Sequence, residues 1–223
     1  MYIGEAAGAV TTTNPFSESA LMQHLFRVML AGPMMVALAV AAGAAQDGKS
    51  EKKIVLEVGD RAPSFEAPDE EGATWLSAKH VGKKIIVIYF YPGDFTPGCT
   101  VQAQKFRDNM NKISERGALV IGVSGDTAAT HALFKQQFKL NFRLLADEEG
   151  KLAKQFGVPV GPGAEVKARD ADKKPLNFHR PVTLARWTFI IDLDGKIAYK
   201  NTKVDPVKDT EQVETFLNKL DGK

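Results

Sequence analysis

The sequence predicts an α/β fold: a mixed central sheet flanked by helices and preceded by an N-terminal β-hairpin. Three observations lead there. IIVIYFY (85–91) and ALVIGVSGD (118–126) are apolar, β-branched runs of the kind that form strands buried on both faces. Stretches of helical period separate the apolar runs, and strands alternating with helices make a sheet covered on both sides. RWTFIIDLDGKIAYKN (186–201) reads as a hairpin around Asp194-Gly195, a strong turn signal. A chain of 223 residues, 44% hydrophobic, suits one domain with a real core once any leader is removed.

The chain begins with a stretch that does not belong to that fold. Residues 1–21 are polar, and from Met22 a basic residue (Arg27), an apolar stretch and small residues from Ala42 to Ala45 follow in order. This is the layout of a secretory signal, so residues 1–45 are read as a cleavable leader or an upstream extension that starts before the true initiator. Cleavage after Ala44 or Ala45 would make the protein periplasmic or secreted. The alternative is an N-terminal membrane anchor, although the apolar stretch is short for a span and contains Gly32 and Pro33. Residues 46–57 read as a polar linker, and residues 58–223 as the folded domain.

Within the domain, the Asp69–Gly72 turn predicts a small hairpin pairing Phe65–Ala67 with Ala73–Leu76. From about Cys99 the apolar residues Val101, Phe106, Met110 and Ile113 recur along one side of a helix. THALFKQQF (130–138) reads as a helix packed on the sheet, with His131 at its surface. FRLLAD (142–147) is a further strand, followed by a helix EEGKLAKQFG closed by Gly157. Residues 158–185, polar and containing four prolines, read as a solvent-exposed loop or, alternatively, as a wall of the substrate or donor site. VKDTEQVETFLNKLDGK (207–223) closes the chain as an amphipathic helix.

The chemistry centres on YFYPGDFTPGCT (89–100), which carries the only cysteine. Cys99 falls in the first turn of a helix, where unpaired N–H groups and the helix dipole favour an anion. A free thiol is only about 3% ionised at pH 7. Near-complete ionisation requires about 3.4 kcal/mol, against about 0.3–1 kcal/mol from a helix end. A unit positive charge at about 4 Å contributes about 4 kcal/mol at an effective dielectric of about 20, so an arginine is expected beside the sulfur. Thr96 offers a hydroxyl to a substrate, Gly98 and Cys99 offer backbone N–H groups, and Pro92 and Pro97 stiffen the loop.

The Pro92, Thr96 and Cys99 spacing resembles the active-site loop of peroxiredoxins, in which Pro-x-x-x-Thr-x-x-Cys carries the chemistry. DFTPGCT, the VQA that follows and the RDN shortly after are similar to the bacterioferritin-comigratory-protein or PrxQ branch. The likeness runs from about Val58 to the C-terminus and implies a thioredoxin-like fold. It also implies an arginine at the start of a late strand, which makes Arg186 the match; Arg169 and Arg180 are nearby rivals. On this resemblance the catalytic residues are Cys99, Thr96, Arg186 and Pro92. The implied activity reduces hydrogen peroxide and organic hydroperoxides. PrxQ-type enzymes often carry a resolving cysteine five residues after the first, where this chain has Gln104, which implies a one-cysteine cycle with an external thiol reductant of thioredoxin, glutaredoxin or small-thiol type. Gln102 stands where many relatives have a glutamate.

Other readings compete. A lone cysteine is often a small core hydrophobe, and Thr96 could simply cap the helix. A thiol–disulfide oxidoreductase is disfavoured because Thr96 fills the first position of Cys-x-x-Cys; a redox sensor on the same scaffold is a third reading. The four histidines show no ligand spacing, so neither metal nor cofactor is expected. A net charge of +2, with no aromatic-interleaved basic stripe, gives no case for nucleic acid. Tyr89 and Tyr91 are expected to pack in the sheet, with Tyr91 and Phe95 able to line an apolar pocket. A monomer or weak homodimer is expected.

Overall fold

The computed structural model describes residues 54–170 and 172–220. The leader read over 1–45, with its cleavage site, and most of the linker lie outside the described residues.

Among the described residues, nine strands and five α-helices follow in the order β1 (Glu66–Pro68), β2 (Thr74–Leu76), β3 (Ile85–Phe90), α1 (Pro97–Asp108), α2 (Met110–Glu115), β4 (Ala118–Ser124), α3 (Ala128–Phe138), β5 (Arg143–Ala146), α4 (Lys151–Gln155), β6 (Val160–Arg169), β7 (Pro175–Leu184), β8 (Trp187–Ile191), β9 (Ile197–Asn201) and α5 (Asp209–Leu220). The central sheet has the order β5-β4-β3-β8-β9. β4 pairs parallel with β3 and β5, whereas β8 runs antiparallel to β3 and to β9. This is the mixed sheet the sequence predicts, and β1–β2 form the small preceding hairpin.

β3 is buried at every position because both its faces are covered. Ile86, Ile88 and Phe90 point into a core with Phe65, Trp75, Phe156 and Phe189. Ile85, Val87, Tyr89 and Tyr91 point into the opposite core, which contains Cys99, Phe106, Ile113, Phe134 and Val213. The cysteine is therefore built into the seam between the sheet and α1.

Two details differ from the sequence reading. The helical stretch beyond Cys99 breaks at Asn109 into α1 and α2, and Val101 faces outward while Phe106 and Ile113 are buried. Residues 158–185 are not a loop: β6 and β7 pair antiparallel from Val160↔Leu184 to Arg169↔Pro175. Each strand of a two-stranded ribbon is an edge, so Pro162, Pro175 and Pro181 fit without removing a needed ladder donor. Their presence hid the strands. The hairpin docks closely on the domain: a Cβ at Gly125 would stand 2.1 Å from the Val182 carbonyl oxygen. Gly125→Ala is therefore expected to lower stability by about 1–3 kcal/mol, read as a reduced urea midpoint, and an unchanged midpoint would mean the hairpin is not seated there.

Candidate active site

The register of the central sheet sets the site. Phe90, the last residue of β3, pairs with Trp187, the first of β8, so the residue before β8 stands beside the loop that leaves β3. That residue is Arg186. Its Nη2 donates to Cys99 Sγ at 3.1 Å, and Nη1 donates to Gln102 Oε1. The rival Arg180 lies elsewhere: its Nε donates to Asp126 Oδ1 at 2.8 Å and its Nη2 to the Asp94 carbonyl at 2.8 Å. Arg169 belongs to β6, where its Nη1 donates to the Lys173 carbonyl.

Cys99 is the third residue of α1, after Pro97 at its start. The first helical bond here runs from the Thr100 N–H to the Thr96 carbonyl at 2.9 Å, so the Gly98 and Cys99 N–H groups precede it and are free of i→i−4 partners. Thr96 is the N-cap but makes no side-chain cap bond. Its hydroxyl instead donates to the Gly93 carbonyl at 3.1 Å. That leaves the oxygen's lone pairs to accept a hydrogen bond from a bound molecule. Pro92 is half-buried in the turn between β3 and α1. Cys99 itself is 1% exposed, so an incoming oxidant meets it beneath half-buried Thr96, Gly98 and Arg186.

The loop rests on a buried polar network that the sequence did not reveal. Asp94 is central to it. Tyr91 Oη donates to Asp94 Oδ1 at 2.7 Å, and the Asp94 N–H donates to Asp126 Oδ2 at 2.7 Å. Ser124 Oγ donates to the same Asp126 oxygen at 2.7 Å. His131, expected at the surface, is fully buried: Nδ1 lies 2.8 Å from Asp94 Oδ2 and Nε2 lies 3.2 Å from the Leu145 carbonyl. Helix α3 turns this face inward, and a buried ring is tolerated because both nitrogens meet acceptors. Two acceptors favour the doubly protonated ring. Burial pushes the His131 pKa down, but the Asp94 charge and hydrogen bond outweigh it and the net direction is up. For Asp126, burial and the Asp94 charge raise the pKa against the opposing Arg180.

Arg180 ties the β6–β7 hairpin into this network. Its guanidinium fills the space where a Cβ on Gly93 would stand, 1.9 Å from Cζ. Phe178 packs edge-on against Phe95 with centroids 5.8 Å apart. Phe95, one residue before Thr96, has φ of 60°, a conformation uncommon for a bulky residue that its surroundings must enforce. Phe95 therefore lines an apolar wall with Phe134, Phe138 and Phe178. Tyr91 instead faces the buried network, while Tyr89 stacks on Tyr91 and Phe106.

The second residue missing from the sequence reading is Asp209, at the start of α5. Its Oδ2 accepts from Gln102 Nε2 at 2.7 Å and from Thr188 Oγ1 at 2.8 Å. Asp94 was visible inside the cysteine-bearing stretch as a charged residue in a turn. Asp209 gave no such signal, lying 107 positions from its partner.

Comparison with known proteins gives a consistent picture. The model of the AhpC/TSA family matches residues 58–200. Peroxiredoxin Q, chloroplastic, from Oryza sativa subsp. japonica is 37% identical over 163 residues, covering 73% of this chain and 67% of that one. Peroxiredoxin Bcp from Bacillus subtilis is 38% identical over 157 residues, covering 70% and 90%. Among solved structures, peroxidoxin BcpB from Mycobacterium tuberculosis aligns with a TM-score of 0.61 and 28% identity, covering 74% of this chain and 98% of that one.

The His131 arrangement makes a pH prediction. A histidine whose folded pKa is raised adds stability that is fully present below its unfolded value of about 6.5 and is lost as pH rises through the folded value. Thermal midpoints should therefore fall as pH rises upward from about 6.5. His131→Gln should flatten that decline and cost about 3–5 kcal/mol at lower pH, as removal of one partner of a buried pair does. Parallel pH curves for parent and variant would count against a charged His131.

Proposed function

The chain belongs to the AhpC/TSA family, and on that premise we propose that Cys99 is its peroxidatic nucleophile, with Arg186 and Thr96 touching the peroxide and Pro92 shaping their loop. As a Bcp/PrxQ-type peroxiredoxin, the chain is a thiol-dependent peroxidase. The observation that carries the residue assignment is the 3.1 Å contact from Arg186 Nη2 to Cys99 Sγ at the start of α1.

Arg186 and the first-turn N–H groups present donors to the sulfur, whose nucleophilic form is the thiolate. The Thr96 hydroxyl, already donating to Gly93, accepts a hydrogen bond from the peroxide O–H and aims its terminal oxygen at sulfur. Sulfur attacks that oxygen and the O–O bond breaks. The leaving alkoxide or hydroxide takes the proton of the attacked O–H, giving alcohol or water, and Cys99 is left as a sulfenate that solvent protonates to sulfenic acid. Arg186 supports the charge that grows on the departing oxygen. One cysteine in the sequence leaves no partner within the chain, so an external thiol attacks the sulfenic sulfur and releases water. A second thiol then frees Cys99 from the mixed disulfide.

The donor we favour is a thioredoxin-, glutaredoxin- or small-thiol-type reductant. Reading residues 1–45 as a cleaved leader supports a location outside the cytosol, beyond the cytosolic thiol pools, with an N-terminal membrane anchor as the alternative. A monomer or weak homodimer suffices, because every group in the proposed step comes from one chain.

One equivalent of hydrogen peroxide should convert Cys99 to sulfenic acid, detected by mass spectrometry after trapping, and millimolar peroxide should drive it on to sulfinic acid. Arg186→Met should slow the first step about 10²-fold or more, as loss of an oxyanion-stabilising donor does. An unmodified Cys99, together with brisk insulin reduction, would instead favour a thiol–disulfide oxidoreductase.

A further inference from the structure

The chain of hydrogen bonds behind the sulfur continues past Arg186, and its direction is dictated from the far end. Arg186 has only donors to offer, so the Gln102 amide must present Oε1 to it. That leaves Nε2 pointing away, where it needs an acceptor. Asp209 Oδ2 supplies one at 2.7 Å and takes a second bond from Thr188 at 2.8 Å. Gln102, Thr188 and Asp209 are all fully buried, so water does not compete. An amide with nothing to hold it could turn over and present its NH₂ to the guanidinium, donor against donor.

We infer that Asp209 is a positioning residue for the peroxidase reaction: its carboxyl group fixes the Gln102 amide, which in turn holds the Arg186 fork at Cys99. The inference rests on the reading of Cys99 as the nucleophile. It also explains how an uncharged Gln102 serves beside an arginine, because the balancing acid stands one hydrogen bond further away. The two carboxyl oxygens divide the work. Oδ2 takes both bonds, while Oδ1 has no partner among the described residues and is where a proton sits when the group is neutral.

Burial raises the Asp209 pKa to about 6 against the lowering effects of Thr188, Gln102 and Arg186. The charged and titratable groups facing it are Arg186 before β8, Tyr89 on β3 and Tyr199 on β9. The phenols stay neutral through the neutral range, with burial the first cause of the raised pKa in each. Above about pH 6 the ionised carboxylate is the stronger acceptor and holds the amide and arginine most firmly. Below it the neutral acid still accepts through Oδ2, but more weakly.

The test is the rate of Cys99 sulfenic acid formation with hydrogen peroxide, by stopped flow from about pH 5 to about 8. It uses the parent chain, D209N, Q102E and Q102E/D209N. D209N keeps an acceptor oxygen without charge and should lose an inflection near pH 6 that the parent shows. Q102E sets two carboxyl groups against each other in a buried site and should react at least about tenfold more slowly at pH 7. In the double variant the introduced amide donates to the introduced carboxylate, which accepts from Arg186, and the rate should return to within about threefold of the parent. Independent losses in the double variant, or superimposable pH profiles for D209N and parent, would overturn the inference. If Q102E does not fold, the isosteric D209N profile decides alone. A parent chain whose Cys99 resists peroxide would defeat the peroxidase assignment itself, whereas a reactive parent with uncoupled variants would defeat only the role of Asp209.

Discussion

A guanidinium against a sulfur in a nearly dry seam is the contact on which the site is built. It exists because β8 runs antiparallel to β3: the end of one strand lies beside the start of the other, Phe90 against Trp187. A strand running the other way would bring its C-terminal end to this corner and carry position 186 to the far edge of the sheet. Half-burying an arginine also favours a fold that satisfies its inward-facing donors. Gln102 accepts from Nη1, and that need propagates inward to Asp209. The first turn of α1, the start of β8 and the first turn of α5 are thus bound together by one ionisable contact.

The loop that presents Thr96 depends on a separate set of charges. Asp94 and Asp126 bring two carboxyl groups into the interior, met by Arg180 and His131. Such a cluster costs desolvation that attraction offsets only when every group is partnered. Here the Asp94 carboxylate has Tyr91 and His131, and the Asp126 carboxylate has Ser124, Arg180 and the Asp94 N–H. The return for that cost is positional. Gly93, whose carbonyl orients the Thr96 hydroxyl, is pinned under the Arg180 guanidinium. The β6–β7 hairpin that supplies Arg180 is therefore a structural brace for the reactive loop, and Phe178 extends it to the apolar wall beside Phe95.

What the sequence made legible follows from how far each interaction reaches along the chain. Pro92, Thr96 and Cys99 sit within one short stretch, and the change from β to helical period locates them at a strand–helix junction. Arg186 could be placed because the family resemblance implies an arginine at the start of a late strand, and this residue immediately precedes an apolar one. The central strands were legible for the same local reason. His131 was not, because a histidine among Ala, Leu and Phe on a helix looks alike whether its partner is water or Asp94, 37 positions away. Asp209 opens a helix where an acidic residue is ordinary, so nothing local separates a cap from a partner of Gln102. The β6–β7 hairpin was hidden by its prolines and glycines, which normally mark turns and here occupy ribbon edges.

Gln104 gives the rigidity of α1 its meaning. Five residues along an α-helix is an axial rise of about 7.5 Å, beyond the Cα separation of about 7 Å that a disulfide can bridge without backbone movement. A resolving cysteine at that position would require α1 to unwind in every turnover, breaking the first-turn geometry around the sulfur. With Gln104 there, no such excursion is demanded. The helix can be fastened at Gln102 to Asp209 and packed through Ala103 and Phe106 into the core. On a one-cysteine cycle the sulfenic acid is resolved by a thiol from outside the chain, so whatever opening the buried sulfur needs is set by that thiol's approach and not by a second position on its own helix.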